Sequence, residues 1–252
     1  MWSRALYAIA ACGYYNARVW SRALYAIAAC GCYSPSPVEG LACSETDRCP
    51  GGQLCDPAFH QCAAFPLCGK PAISDAFVAG PACQPWGAQF GGAAVEVEDG
   101  GLSITPRGDG QNSGGCTADV PIAFEDGGIF LEVPRAMPAG HGFVAMQAAG
   151  GSPPPTILVE DGVLTLRVTD GTIASLPYDP AAMRWWRLRP DHIADAIVAE
   201  YAADGFHWNR LGVLDVEPPP RITLEISAGV DTVDPTPATA RLAHLNVCPP
   251  RP

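Results

Sequence analysis

The chain has 252 residues, with 26 Asp and Glu against 15 Lys and Arg and a formal charge of −11. Such a field repels phosphate backbones and anionic headgroups, which argues against nucleic acid as a partner. Eleven cysteines, none in a C-x-x-C pair, argue against a zinc ribbon or a thioredoxin-like site and for disulfides in an oxidising compartment; 27 Gly and 26 Pro predict a turn-rich, mainly β protein.

The first element is a repeat. "WSRALYAIAAC" occupies residues 2–12 and again 20–30, a tandem duplication of 18 residues that aligns Met1 with Val19. Arg22, the apolar run "ALYAIAA" and the small residues before Cys30 form the pattern of a secretory signal over 1–29. A short buried helix is the competing reading; the absence of acids in this stretch and the Pro/Ser segment after it stand against that. Ile27-Ala28-Ala29-Cys30 resembles the bacterial lipobox. The resemblance implies cleavage before Cys30, acylation of its thiol and a lipid anchor in a membrane. With Gly31 rather than Asp next, it implies a bacterial cell-envelope address, at the outer membrane or outside the cell. Cys12 ends a similar motif, but only eleven residues precede it. Lipidation of Cys30 leaves nine downstream cysteines, an odd number, with Cys32 the candidate odd thiol. Without residues 1–29 the chain carries 12 basic against 26 acidic residues, a formal −14. No other stretch approaches the apolar length of a spanning helix.

Residues 30–42 read as a tether, because the prolines of "YSPSPVEG" (33–40) favour extended polyproline II. Residues 43–64 hold "CSETDRCPGGQLCDPAFHQC", too short to bury a core without cross-links. This segment resembles the small "C…CP-G-x-x-C…C" knots of extracellular proteins, common in secreted myxobacterial ones. Of three connectivities, the resemblance implies Cys43–Cys55 with Cys49–Cys62. The module reads as a rigid spacer or a minor recognition element.

From residue 65 to 252 the pattern is all-β. Asp-Gly turns between β-forming runs predict hairpins at 95–104, 124–130, 156–168, 169–173 and 201–208. Further strands are expected at 129–134, 142–149, 183–190, 196–202, 221–227 and 240–247, and no amphipathic helix is evident. A dozen short strands predict a two-sheet sandwich. Residues 178–212, "YDPAAMRWWRLRPD…AIVAEYAADGFHWNRLG", resemble the Trp-rich hairpin of concanavalin-A-like jelly rolls, the laminin-G, lectin and glucanase superfamily. "ISDAFVAG…W" with "GGLSITP", and the closing "ARLAHLNVCP", are similar to that superfamily's first and last strands. The resemblance implies a two-sheet antiparallel jelly-roll sandwich whose first and last strands are neighbours. That would bring Cys68 to Cys248 and leave Cys83 to pair with Cys116.

In "MRWWRLRP", alternation puts Trp186 and Leu188 on one face and Trp185, Arg187 and Arg189 on the other. Trp185, Arg187 and Arg189, with Glu200 and His207 across the sheet, are the candidate ligand-binding residues. Trp faces stack on the C–H faces of sugars and Arg donates to hydroxyls. The bland reading makes the same residues framework, with Arg187 or Arg189 paired to Glu200 and stacked on Trp. No catalytic residue is assigned. The E-x-D-x-x-E strand of retaining glucanases is absent; "VEVEDG" (95–100) and "VLDVEP" (213–218) lack its spacing. No metal site is assigned. The resemblance leaves calcium open, although turns account for Asp109, Asp161, Asp170 and Asp204. The reading is thus of a cell-surface lipoprotein with a non-catalytic, lectin-like domain whose ligand is a glycan or a surface protein. A divergent polysaccharide hydrolase and a structural or adhesive protein are the alternatives.

Overall fold

In a computed structural model, the described residues are 41–43, 49–50, 53–56, 61–63, 73–124, 127–151, 153–169, 171–191, 194–234 and 236–247. Among them every regular element is a β-strand, and no helix is long and apolar enough to cross a membrane. The expected signal, Cys30 and the tether up to residue 40 lie outside the described residues, as do the Cys68–Cys248 pair and the side chain of Cys55.

A small hairpin, β1 (Leu54–Asp56) and β2 (Gln61–Ala63), is tied to Cys49 by a disulfide from Cys62 of β2. Cys43 is also disulfide-bonded, and its sulfur lies within 4.8 Å of those of Cys49 and Cys62. Three oxidised sulfurs are no zinc site, since thiolates are what a metal needs.

The remaining strands follow in chain order: β3 (Gly87–Gly91), β4 (Ala94–Glu98), β5 (Gly101–Thr105), β6 (Asn112–Ala118), β7 (Ile122–Ala123), β8 (Ile129–Arg135) and β9 (Phe143–Ala149). Then come β10 (Thr156–Glu160), β11 (Val163–Val168), β12 (Gly171–Pro177), β13 (Trp185–Asp191), β14 (Ala196–Ala202), β15 (Asn209–Leu214), β16 (Arg221–Val230) and β17 (Ala240–Ala243). They form two antiparallel sheets. The front sheet runs β12-β11-β10-β9-β16-β6-β3, with β7 on β16; the back sheet runs β15-β14-β13-β8-β17-β5-β4.

The sheets face each other across one apolar core. Met146, Ile157 and Ile226 of the front sheet and Leu102, Leu131 and Trp186 of the back sheet belong to it, all at 1% exposure or less. Period-2 alternation supplies this: the neighbours Gln147, Thr156 and Glu225 stay outside the core. The fold is therefore an all-β, two-sheet antiparallel jelly-roll sandwich.

The Asp-Gly turns mostly act as the sequence implies. Asp99 and Gly100 (φ 46° and 72°) join β4 to β5, and Asp161 and Gly162 (φ 49° and 74°) join β10 to β11. Both take the left-handed backbone of a primed hairpin turn. The stretch 124–130 is different: β7 pairs with β16 while β8 pairs with β13 and β17. It is a crossover between sheets, not a hairpin. Its glycine Gly128 is needed for close packing, since a Cβ there would meet the Leu188 carbonyl oxygen at 2.2 Å.

The ends of the sandwich meet at the back sheet. Asp75 bridges Leu245, and the Asn246 amide donates to the Ile73 carbonyl at 3.0 Å. Asn246 also exchanges hydrogen bonds with the Phe130 backbone. Cys83 and Cys116, both fully buried, are bridged and tie the segment before β3 to β6.

Candidate functional site

The residues singled out from the sequence lie on the outer face of the back sheet, in a buried layer. Trp185, Arg187, Arg189 and Glu200 are 4–7% exposed. The register sets Arg187 opposite Glu200. Glu200 Oε2 accepts from Arg187 Nη2 at 2.6 Å and from Arg189 Nε at 3.0 Å. The Arg187 guanidinium lies 4.3 Å from the Trp208 ring centroid. Trp185 stacks on His244, whose Nδ1 meets Glu132 Oε2; Glu132 also takes Arg184. This is the framework arrangement of Arg paired to Glu200 and stacked on Trp, in place of an open ledge. His207 is the exception. Its side chain is 88% exposed on the β14–β15 turn, with Nδ1 2.6 Å from Asp204 Oδ2. Burial opposes ionisation of Asp204, but donation from the His207 and Phe206 amides and the His207 ring wins and holds it at about 2.

The open site is elsewhere, on the outer face of the front sheet. A groove of about 750 Å³ lies there. Its floor follows from the register. Thr117, Glu225, Gln147, Thr156 and Arg167 stand opposite one another across β6, β16, β9, β10 and β11, a polar row running over five strands. Ser113, Gly229 and Phe143 form a second row four residues along. There the Phe143 ring leans across Gly229: a Cβ on Gly229 would meet the ring carbons at 2.7 and 2.8 Å. Glycine at 229 is what lets an aromatic ring lie against the sheet inside a groove of hydroxyl, amide and carboxyl groups.

Among the described residues Glu225 and Glu160 stand on this face, with Asp231 beside Glu160. Glu225 is half-buried, and that burial pushes its carboxyl up from the ordinary range. Glu160, at the end of β10, is pushed up first by burial and then by hydrogen bonding and repulsion from Asp231; Arg167 acts the other way. Arg167 Nη1 is 3.9 Å from Glu160 Oε2. Glu225 and Glu160 are offset by two strands and four residues, roughly 10 Å across and 13 Å along the sheet.

No protein-family model and no curated protein matches the chain. Solved structures do resemble it. The laminarinase catalytic domain of Thermotoga maritima is 10% identical, covering 71% of this chain and 96% of its own, with a TM-score of 0.51. The endo-1,3-β-glucanase (laminarinase) catalytic domain of Thermotoga petrophila is 11% identical over 71% and 95%, also at 0.51. Lectin II from Ulex europaeus is 12% identical over 70% and 97%, at 0.47. At these identities the likeness of the two laminarinase domains speaks to fold alone, a two-sheet antiparallel jelly roll.

Proposed function

We propose that this chain is a cell-envelope lipoprotein whose jelly roll binds a glycan, without cleaving it, in the groove of the front sheet. The observation that carries the reading is the Phe143 ring laid across Gly229 in the groove that also holds Gln147, Thr156 and Glu225. A sugar ring has an apolar C–H face and an equatorial belt of hydroxyls. An aromatic platform at one end of the groove and the polar row of Gln147, Thr156 and Glu225 four residues along offer a partner for each along a chain of sugars. The lack in the sequence of the E-x-D-x-x-E strand of retaining glucanases supports binding over hydrolysis. The fold's occurrence in two laminarinase catalytic domains agrees with a glycan, as does a surface unsuited to nucleic acid.

A glycan array with the full chain tests this, read beside Phe143→Ala. A defined saccharide bound by the native chain and weakened about tenfold or more by the variant is the expected result. Equal binding by both would remove the groove from the account. The envelope address rests on the lipobox-like residues 27–30. Mass spectrometry of membrane-extracted protein should find an acylated Cys30 at the new N-terminus, and Cys30→Ser should release the protein from membranes. An uncut, unacylated leader would refute the anchor.

A further inference from the structure

The groove is charged unevenly, and the unevenness names a ligand class. Across it lie one cation and one central carboxylate, Arg167 and Glu225. Arg167 already faces Glu160, which adjoins Asp231. Among the described residues no ion pair joins Glu225, whose register neighbours are Thr117 on β6 and Gln147 on β9, neither of them charged. Beyond Gln147 the same row continues with Thr156 on β10 before reaching Arg167 on β11. A carboxylate partly withdrawn from water with no cation beside it is a costly arrangement for the unliganded protein. A ligand ammonium seated against Glu225 would remove that cost, whereas a ligand carboxylate, sulfate or phosphate would deepen it.

We infer, building on the glycan reading above, that the groove selects saccharides carrying free amino groups, with Glu225 as the residue that reads the ammonium and Phe143 as the platform for a sugar face. Phe143 and Glu225 are offset by one strand and four residues, about 14 Å between backbone positions. One monosaccharide does not span that distance, so the ligand is an oligomer. The charge of the whole chain acts in the same direction. With 26 acidic residues against 15 basic, its field draws a cationic polysaccharide in and turns a uronate or sulfated one away.

The test is calorimetric titration of the full chain with four probes of matched length: a glucosamine tetramer, its fully N-acetylated counterpart, a cellulose tetramer and a galacturonic acid tetramer. The amine-bearing probe should bind about tenfold or more tighter than the acetylated one, as expected for a charge-assisted contact in a partly dry site. The galacturonate should bind least, and added salt should narrow the gap. Glu225→Gln should bring the glucosamine tetramer down to the level of the acetylated probe, erasing the preference. Arg167→Gln, which removes the competing cation, should widen the preference. Raising the pH until the sugar amine is neutral should abolish it in the native chain.

Equal affinity for amine and acetamide, or tighter binding of the galacturonate, overturns the inference while leaving the glycan reading standing. Failure of all four probes counts against the inference, and the glycan array then decides the glycan reading separately. A Glu225→Gln variant that keeps the full amine preference would also overturn the role given to Glu225. Thermal unfolding shows whether each variant is folded, and because Arg167→Gln predicts the opposite change from Glu225→Gln, general damage cannot imitate both.

Discussion

The Tyr178 ring packs edge-on against Trp186, centroids 6.5 Å apart, while its hydroxyl has no hydrogen-bond partner among the described residues. Burial, and after it the charge of Asp179, pushes the phenol up to about 12. A buried hydroxyl without a partner loses the water it had in the unfolded chain and gains nothing in exchange. Tyr178→Phe keeps the ring contact and discards the stranded group. The expected result is a gain of about 0.5–1 kcal/mol, seen as a higher urea midpoint at unchanged slope. A loss of stability would mean that the hydroxyl has a partner after all. Side chains of this kind are not legible in a sequence, because a buried tyrosine with a bonded hydroxyl and one without are spelled alike.

Strands were legible where one face is apolar and the other is not. The runs 142–149, 156–168, 183–190 and 196–202 each match an observed strand or hairpin closely. β3 and β6 escaped the reading because their sequences, "GAQFG" and "NSGGCTA", hold more glycine than β-formers. The structure supplies the reason: a Cβ on Gly115 would meet the Ile226 carbonyl oxygen at 1.9 Å, and one on Gly87 the Thr117 oxygen at 2.1 Å. Close backbone approach, not propensity, makes these segments strands. On β13 the alternation of Trp185, Arg187 and Arg189 against Trp186 and Leu188 was readable, but whether anything covers the first set was not. The outcome is a carboxylate, Glu200, shared by two buried guanidinium groups. Glu200→Gln would leave positive charge buried with less compensation. It should destabilise by about 3–5 kcal/mol, measured by denaturant unfolding. A change below about 1 kcal/mol would show that water reaches this layer.

At the scale of the molecule, pairing distant in sequence decides the site. β16 lies far along the chain yet sits between β9 and β6, and only that insertion sets Glu225 beside Gln147 and Gly229 beside Phe143. The alternation that turns these side chains away from the core could be read from each strand alone. Their coming together could not, because strand order is a property of the whole sheet. The Cys83–Cys116 bridge belongs to this scale too, closing a loop of 33 residues at the margin of the front sheet. Replacing both cysteines with alanine should cost about 3–4 kcal/mol through the freedom returned to the unfolded chain. Chemical denaturation of the oxidised native chain against the double variant would measure it; matching midpoints would assign the bridge no role in stability.

The joined ends have a mechanical consequence. Ile73, Asp75, Leu245 and Asn246 are stitched to one another and to Phe130 of the back sheet. Anything that tugs on the polypeptide from either direction pulls at this single seam. The groove opens on the far side of the other sheet, out of the line of force. Stretched between its two ends, the sandwich would carry the load at the seam, and the groove on the far sheet would be spared.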